Sequence, residues 1–193
     1  MKVEDIKNLK GVESHSHGPE LQALIDYIDK SGKKPLVVEI GSYCGASAIA
    51  MAEAAKAGKV ICVDPFVGKH RKNNSKNLTE TLFRKNVLKK YKNVTLLKMT
   101  SEKASIELWK AEAKFGITTK VIDFLFIDGN HEDEFIALDC KLWLPKVKPG
   151  GFVAFHDYNN VAFTGVRKAV DENTQGWEQV DSIWDMIVKK KPL

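Results

Sequence analysis

Cysteine is scarce in this sequence, which holds only Cys44, Cys62 and Cys140. Their odd number and wide spacing suggest neither a disulfide framework nor a zinc site, so a reducing cytoplasm is the expected compartment. No stretch approaches the roughly 20 uninterrupted apolar residues that cross a bilayer. The charged opening "MKVEDIKNLK" lacks the basic-then-apolar order of a secretory signal. A membrane partner is therefore not expected. Internal repeats and low-complexity blocks are missing too.

A large excess of one charge is also lacking. The net charge is +5 and the pI near 9.0, and much of the excess is local. Lys69, His70, Arg71, Lys72 and Lys76 crowd one loop, "VGKHRKNNSKN", and Lys189, Lys190 and Lys191 lie near the end. No aromatic residue interleaves with the loop charges, as stacking on bases would want. Nucleic acid is thus disfavoured as a partner, and the loop reads as a solvated segment or as a lid drawing in an acidic substrate.

What the sequence does have is apolar content, 44% over 193 residues, enough for one core and one domain. The expected division is an N-terminal arm, 1–19, and a single domain, 20–193. Short apolar runs alternate with helical patterns: "LVVEI", "KVICVD", "NVTLLKM", "VIDFLFID" and "FVAFHD" read as strands. Between them "ASAIAMAEAAKA", "NLTETLFRKNVLKKY", "SEKASIELWKAEA" and "EDEFIALDCKLWLPKV" read as helices, the second with Leu78, Leu82, Val87 and Tyr91 inward and the last ended by "KPGG". Nearly continuous apolar strands alternating with helices imply a parallel sheet covered on both faces. The ending, "GWEQVDSIWDMIVKKK", carries two strand-like runs around "DS" and predicts an antiparallel hairpin at one edge. The expected fold is a doubly wound α/β sheet of seven strands. Ligands of such folds sit at the carboxyl ends of the strands.

The first strand ends in "EIGSYCG". A dinucleotide loop needs G-x-G-x-x-G, and bulky Tyr43 stands where its second glycine should be. No Gly-Lys-Ser or Gly-Lys-Thr follows to make a P-loop, and Cys44 does not stand midway between glycines as in a nucleophile elbow. Glu39 at the strand end would repel phosphate but suits an ammonium group or a bound water network. Asp64, closing the second strand in "CVDPF", stands where an acid accepts from both hydroxyls of a ribose. Together they favour an adenosyl ligand without phosphates.

With Glu39, Gly41 and Gly45 in the form E-x-G-x-x-x-G, and with Asp64, the sequence resembles the class I S-adenosylmethionine-dependent methyltransferases from about Leu36 onward. "FLFIDGNHEDEFIALDCKLWLPKVKPGGFVAFHDY" followed by "GVRKAVDE" is similar to small O-methyltransferases of the macrocin-related subgroup. The resemblance implies a Rossmann-like methyltransferase fold and a cofactor site of Glu39, Gly41, Ser42, Tyr43, Gly45, Ser47, Asp64, Pro65, Ser101 and Asp128, with Ser101 and Glu102 near the adenine. Gly41 and Gly45 would let backbone approach the methionine moiety where a side chain would block it.

A second constellation lies at the ends of the fourth and fifth strands, Asp128 with His131 and His156 with Asp157. On neighbouring strands roughly 5 Å apart, two carboxylates can share one hard cation, Mg²⁺ or similar, that holds a substrate hydroxyl. Catechol O-methyltransferase, a relative of this general type, has an Asn directly after its second acid. Here Tyr158 occupies that place, which makes Asn159 the expected third ligand beside Asp128 and Asp157, with entry of His131 and His156 into the shell as the alternative. His131, in a loop beyond the strand and titrating near working pH, is the expected general base, so Asp128, His131 and Asp157 form the expected catalytic set. His15 and His17 form a His-x-His with no further ligand nearby and read as part of a flexible arm.

The expected activity is methyl transfer to a hydroxyl of a small molecule such as a sugar or phenol, with homo-oligomer formation left open. A nucleic-acid methyltransferase is the competing reading, against which no Asn-Pro-Pro-Tyr-like or Pro-Cys motif follows the fourth strand. A regulatory cofactor-binding protein is another, and the intact acids speak against it. Gly41→Val is expected to block the ligand while leaving the fold largely intact. Asp64→Ala should strip two ligand hydroxyls of a charged acceptor and weaken S-adenosylmethionine binding by about 1.5 to 3 kcal/mol; unchanged affinity by calorimetry would remove the assignment.

Overall fold

In a computed structural model, which describes residues 2–9, 16–67, 78–110 and 121–193, the apolar runs form seven strands in one sheet. They are β1 (Leu36–Ile40), β2 (Lys59–Val63), β3 (Val94–Leu97), β4 (Ile122–Ile127), β5 (Val147–Phe155), β6 (Glu178–Ile183) and β7 (Met186–Lys190). The helices are α1 (Val3–Lys7), α2 (Gly18–Lys30), α3 (Ala46–Ala54), α4 (Leu78–Phe83), α5 (Ser101–Lys110), α6 (Asp133–Trp143) and α7 (Thr164–Asn173). His15 and the basic loop from Lys69 to Lys76 lie outside the described residues.

The strand order is β3-β2-β1-β4-β5-β7-β6. The first five pair in parallel, and β7 joins β5 and β6 antiparallel. Chain direction across the sheet reverses between β1 and β4, which opens a crevice at their carboxyl ends. The central strands β1 and β4 bury both faces. Val37, Phe124, Phe126 and Ala154 pack with α1, α2, α3 and the segment after α4. Val38, Ile40, Leu125 and Phe155 pack with α5, α6 and α7. By the same alternation Glu39 and His156 fall on the first face and meet α3 and α2.

Four local expectations give way. The helix over "NLTETLFRKNVLKKY" stops at Phe83 and continues as a π-helical turn, Arg84–Leu88. That wider turn buries Thr79, Phe83, Asn86 and Val87, whereas Leu78, Leu82 and Tyr91 are only half-buried; the regular 3.6-residue period does not survive a π turn. The stretch "KPGG" lies inside β5, at the irregular register between Ile122 and Phe124. The hairpin turns at Trp184 and Asp185, not at "DS", with Trp184 at φ +52°. The boundary drawn after residue 19 falls inside α2, and Val3 and Ile6 of the expected arm are buried in the core.

Gly41 carries the tightest contact between the central strands. Its φ is +86°, and a Cβ there would stand 2.0 Å from the Asp128 carbonyl oxygen. Gly45, at φ +94° before α3, would drive a Cβ to 2.4 Å from the Val87 side chain. Both glycines are required by packing whether or not a ligand is present. Gly41→Val therefore cannot leave the fold intact as the sequence reading expects. Even Gly41→Ala should destabilise the protein by about 1 to 3 kcal/mol or more, seen as a lower urea midpoint at unchanged slope; a wild-type midpoint would contradict the contact.

Candidate active site

The turn after β1 is built around the buried Glu39. Its two carboxylate oxygens accept from the Ser42 and Ser47 hydroxyls, each at 2.5 Å. Burial pushes its pKa up to about 7 against the pull of those hydroxyls. Glu39 thus orients the loop from beneath. Asp64 completes the turn: one oxygen accepts from the backbone N–H groups of Ser42 and Tyr43, both at 2.9 Å, and the other from Phe66 N–H at 2.6 Å. The expected cofactor residues Gly41, Ser42, Tyr43, Gly45, Asp64 and Pro65 therefore lie on two adjoining loops, with Ser47 in the first turn of α3. Asp64 holds the glycine loop itself, a task that no sequence signal announces.

Asp128 follows β4 directly, and its N–H donates to the Ile40 carbonyl at 2.8 Å, so it stands across the crevice from the glycine loop. β5 ends at Phe155, and Asp157 takes a left-handed conformation, φ +57°, which Asp tolerates better than most residues. Among the described residues, Asp128, His131 and Asp157 offer donor atoms that all lie within 4.8 Å of one another. His131 Nε2 is 3.0 Å from Asp157 Oδ2 and 3.5 Å from Asp128 Oδ1, yet it is buried without a hydrogen bond of good geometry. Phe163 packs against its ring at 4.5 Å between centroids.

His156 adds a second imidazole. Its Nδ1 is 2.8 Å from Asp157 Oδ2 and 3.4 Å from Asp128 Oδ1, and its Nε2 is 3.6 Å from Glu20 Oε2. Both of its ring nitrogens thus face carboxylates. Burial opposes charge throughout this cluster, but the pairing outweighs it: Asp128 and Asp157 are held below the usual carboxylate range, and His156 far above the usual imidazole range. For His131, burial is overcome by Asp128 and Asp157, which raise it to about 9. It is not the unperturbed imidazole expected from sequence.

Two expected residues have their side chains engaged by other parts of the protein. Asn159 donates to the Trp184 carbonyl at 2.7 Å and to Ser182 Oγ at 3.1 Å, and accepts from Arg167 at 2.9 Å. Its neighbour Asn160 donates to Asp157 Oδ1 at 2.8 Å instead. Ser101 donates to Asp139 and accepts from Trp143 Nε1 at 2.7 Å, joining α5 to α6 behind the third and fourth strand ends. Glu20, Asn160 and Asp139 were missed. Only Glu20 had a signal, its place after Pro19 in the first turn of α2, and that marks a cap rather than a site.

The methyltransferase-domain family profile matches residues 38–158, a stretch running from β1 through both acid-bearing strand ends. The chain belongs to this family. One relative of this methyltransferase-domain protein, uncharacterized protein R132 of Acanthamoeba polyphaga mimivirus, is 29% identical over 158 residues, 80% of this chain and 64% of that one. The chain thus spans less than two thirds of that relative's length. Solved structures share the fold at low identity. An O-methyltransferase from Bacillus cereus, in complex with SAH, matches with TM-score 0.69 and 14% identity over 98% of this chain and 90% of that one. The SAM-dependent O-methyltransferase TM0748 from Thermotoga maritima gives 0.68 and 17% over 100% and 72%. TomG from Streptomyces achromogenes, in complex with SAM, gives 0.69 and 13% over 100% and 88%.

Asp139 yields a pH test away from the acid–histidine cluster. Burial, only partly offset by Ser101, raises its pKa to about 6. The folded state therefore binds a proton more tightly than the unfolded chain, where an Asp titrates near 3.9. This contribution favours folding at low pH and fades as pH rises from about 4 to about 6, by about 3 kcal/mol in all. Relative to Asp139→Asn, the wild type should lose that much stability between pH 4 and 7 in urea unfolding. A constant difference would contradict the burial of this carboxyl.

Proposed function

We propose that this protein transfers the methyl group of S-adenosylmethionine to a hydroxyl of a small molecule at the carboxyl ends of β1, β4 and β5. The observation that carries the reading is the meeting of Asp128, His131 and Asp157 across the crevice from the Glu39–Asp64 loops. The loop side holds the cofactor: Gly41 and Gly45 keep the backbone free of side chains, Asp64 takes the ribose, and Ser101 and Glu102, opening α5, lie toward the adenine. The acid side holds the acceptor.

In the reaction an acceptor oxygen attacks the methyl carbon and the carbon–sulfur bond breaks. Its electron pair stays on sulfur, giving neutral S-adenosylhomocysteine, and the hydroxyl proton leaves the oxygen. The chain's contribution is mainly to hold oxygen, methyl and sulfur in line. Asp128 and Asp157 would hold a divalent cation such as Mg²⁺, and their donor set fits one: two carboxylates kept ionised, with the buried, unbonded Nε2 of His131 beside them. When bound, such a cation lowers the pKa of a hydroxyl and offsets the carboxylate field on His131. His131 is then the residue placed to take the hydroxyl proton. The burial of all three cysteines accords with a reducing, cytoplasmic setting.

The test offers labelled S-adenosylmethionine with catechols, phenols and sugars, with and without a chelator. Asp157→Asn should lower turnover on the order of 10²-fold, and chelation should do the same to wild type. Cofactor affinity should change little, because Glu39, Gly41 and Asp64 stand at the ends of other strands, β1 and β2. Full activity in both Asp157→Asn and His131→Ala would place the chemistry elsewhere.

A further inference from the structure

We propose that Glu20 is a positioning residue for the cation-holding carboxylates, acting on them through His156; this rests on the cation reading of Asp128 and Asp157. Glu20 is fully buried, with no exposed surface, although it stands in the first turn of a helix at the end of the chain least tied to the site by sequence. It lies ahead of residues 38–158, which carry the family match. Each of its oxygens is engaged. Oε2 accepts from His17 N–H at 2.5 Å, and Oε1 accepts from Asp185 N–H, at the turn of the β6–β7 hairpin, at 3.0 Å.

Capping a helix does not require this burial. Asp5 does the same for α1, accepting from Lys2 N–H at 3.0 Å on the exposed surface. Taking a carboxylate wholly out of water is costly unless charged or hydrogen-bonding groups meet it. Besides the two N–H groups, Glu20 meets two imidazoles: His17, whose Nδ1 is 3.2 Å from Oε2 at the helix start, and His156, whose Nε2 is 3.6 Å from Oε2 and is buried without a hydrogen bond. On the opposite side of the same ring, Nδ1 faces Asp157 and Asp128 at 2.8 and 3.4 Å. The imidazole therefore spans from Glu20 to both carboxylates, with the ring of Phe126 edge-on to it at 6.4 Å. An outer carboxylate on a histidine fixes the ring and, through it, the groups the ring touches. Loss of such a partner typically costs about 10- to 100-fold in metal affinity.

The same carboxylate joins three parts of the fold. It fixes the start of α2, the hairpin turn and the end of β5. His17 stacks on Trp184 at 4.5 Å, so the turn is held from both its backbone and its side chain. The segments before and after the family-matched stretch thus close on the acid–histidine cluster through one residue.

The experiment measures Mn²⁺ affinity of the full chain from the electron paramagnetic resonance signal of the free ion, for wild type, Glu20→Gln, Glu20→Asp and His156→Asn. Glu20→Gln keeps the size and loses the charge. It should weaken Mn²⁺ about 10- to 100-fold while leaving S-adenosylmethionine affinity unchanged by calorimetry. Glu20→Asp should fall between it and wild type. His156→Asn should weaken Mn²⁺ as well, and adding Glu20→Gln to it should bring little further loss, since both break one link. Wild-type Mn²⁺ affinity in folded Glu20→Gln, or full additivity with His156→Asn, overturns the inference and leaves Glu20 a helix cap. A wild type that binds no Mn²⁺ overturns the cation reading itself, and this inference with it. If Glu20→Gln does not fold, Glu20→Asp alone and combined with His156→Asn decides on the same terms.

Discussion

The rest of the structure depends on how closely the turn after β1 approaches the end of β4. Gly41 sits so near the Asp128 backbone that no side chain fits between them, and the Asp128 N–H closes the gap by donating to Ile40. That contact brings the glycine loop and the first acid to the same crevice. Neither half of the site has another reason to be there, because Glu39 and Asp64 organise one loop and Asp157 and the histidines the other. A glycine read as room for a ligand is first of all room for the protein's own backbone.

Charge is arranged with equal economy of space. Glu20, Asp128 and Asp157 surround His156, while Asp128 and Asp157 also face His131. Buried carboxylates stay ionised here because imidazoles lie against them, and the imidazoles are held charged in return. Glu39 is different. Burial wins there, with hydroxyls and a thiol rather than an imidazole against it and the Asp128 charge adding to the rise, and its carboxyl moves toward neutrality. Two acids on neighbouring strands therefore have different tasks, one orienting a loop and the other carrying charge at the site.

The parallel strands, their alternation with helices and the edge hairpin were legible because apolar runs and their periods report burial directly. The acids and glycines at strand ends were legible for the same reason, since a polar residue closing a buried run stands out. What escaped depends on tertiary contacts that no local period encodes. The π turn after Phe83 changes which side chains face inward. Whether Asn159 or Asn160 meets Asp157 is decided by the left-handed turn at Asp157 and by the pull of Trp184 and Arg167 on Asn159. Glu20 is 136 residues from His156 in sequence, and its solvent-free place against β5 exists only once α2 packs on the sheet.

The central claim is that cofactor and acceptor meet between the glycine loop and the acid cluster. It is tested most directly by a crystal structure grown with S-adenosylhomocysteine and Mn²⁺, read by anomalous scattering. The account predicts the cofactor's ribose on Asp64, its sulfur facing the crevice between β1 and β4, and an anomalous peak bound by Asp128 and Asp157. Cofactor density away from the β1 loop, or a manganese peak only at other residues, would contradict it.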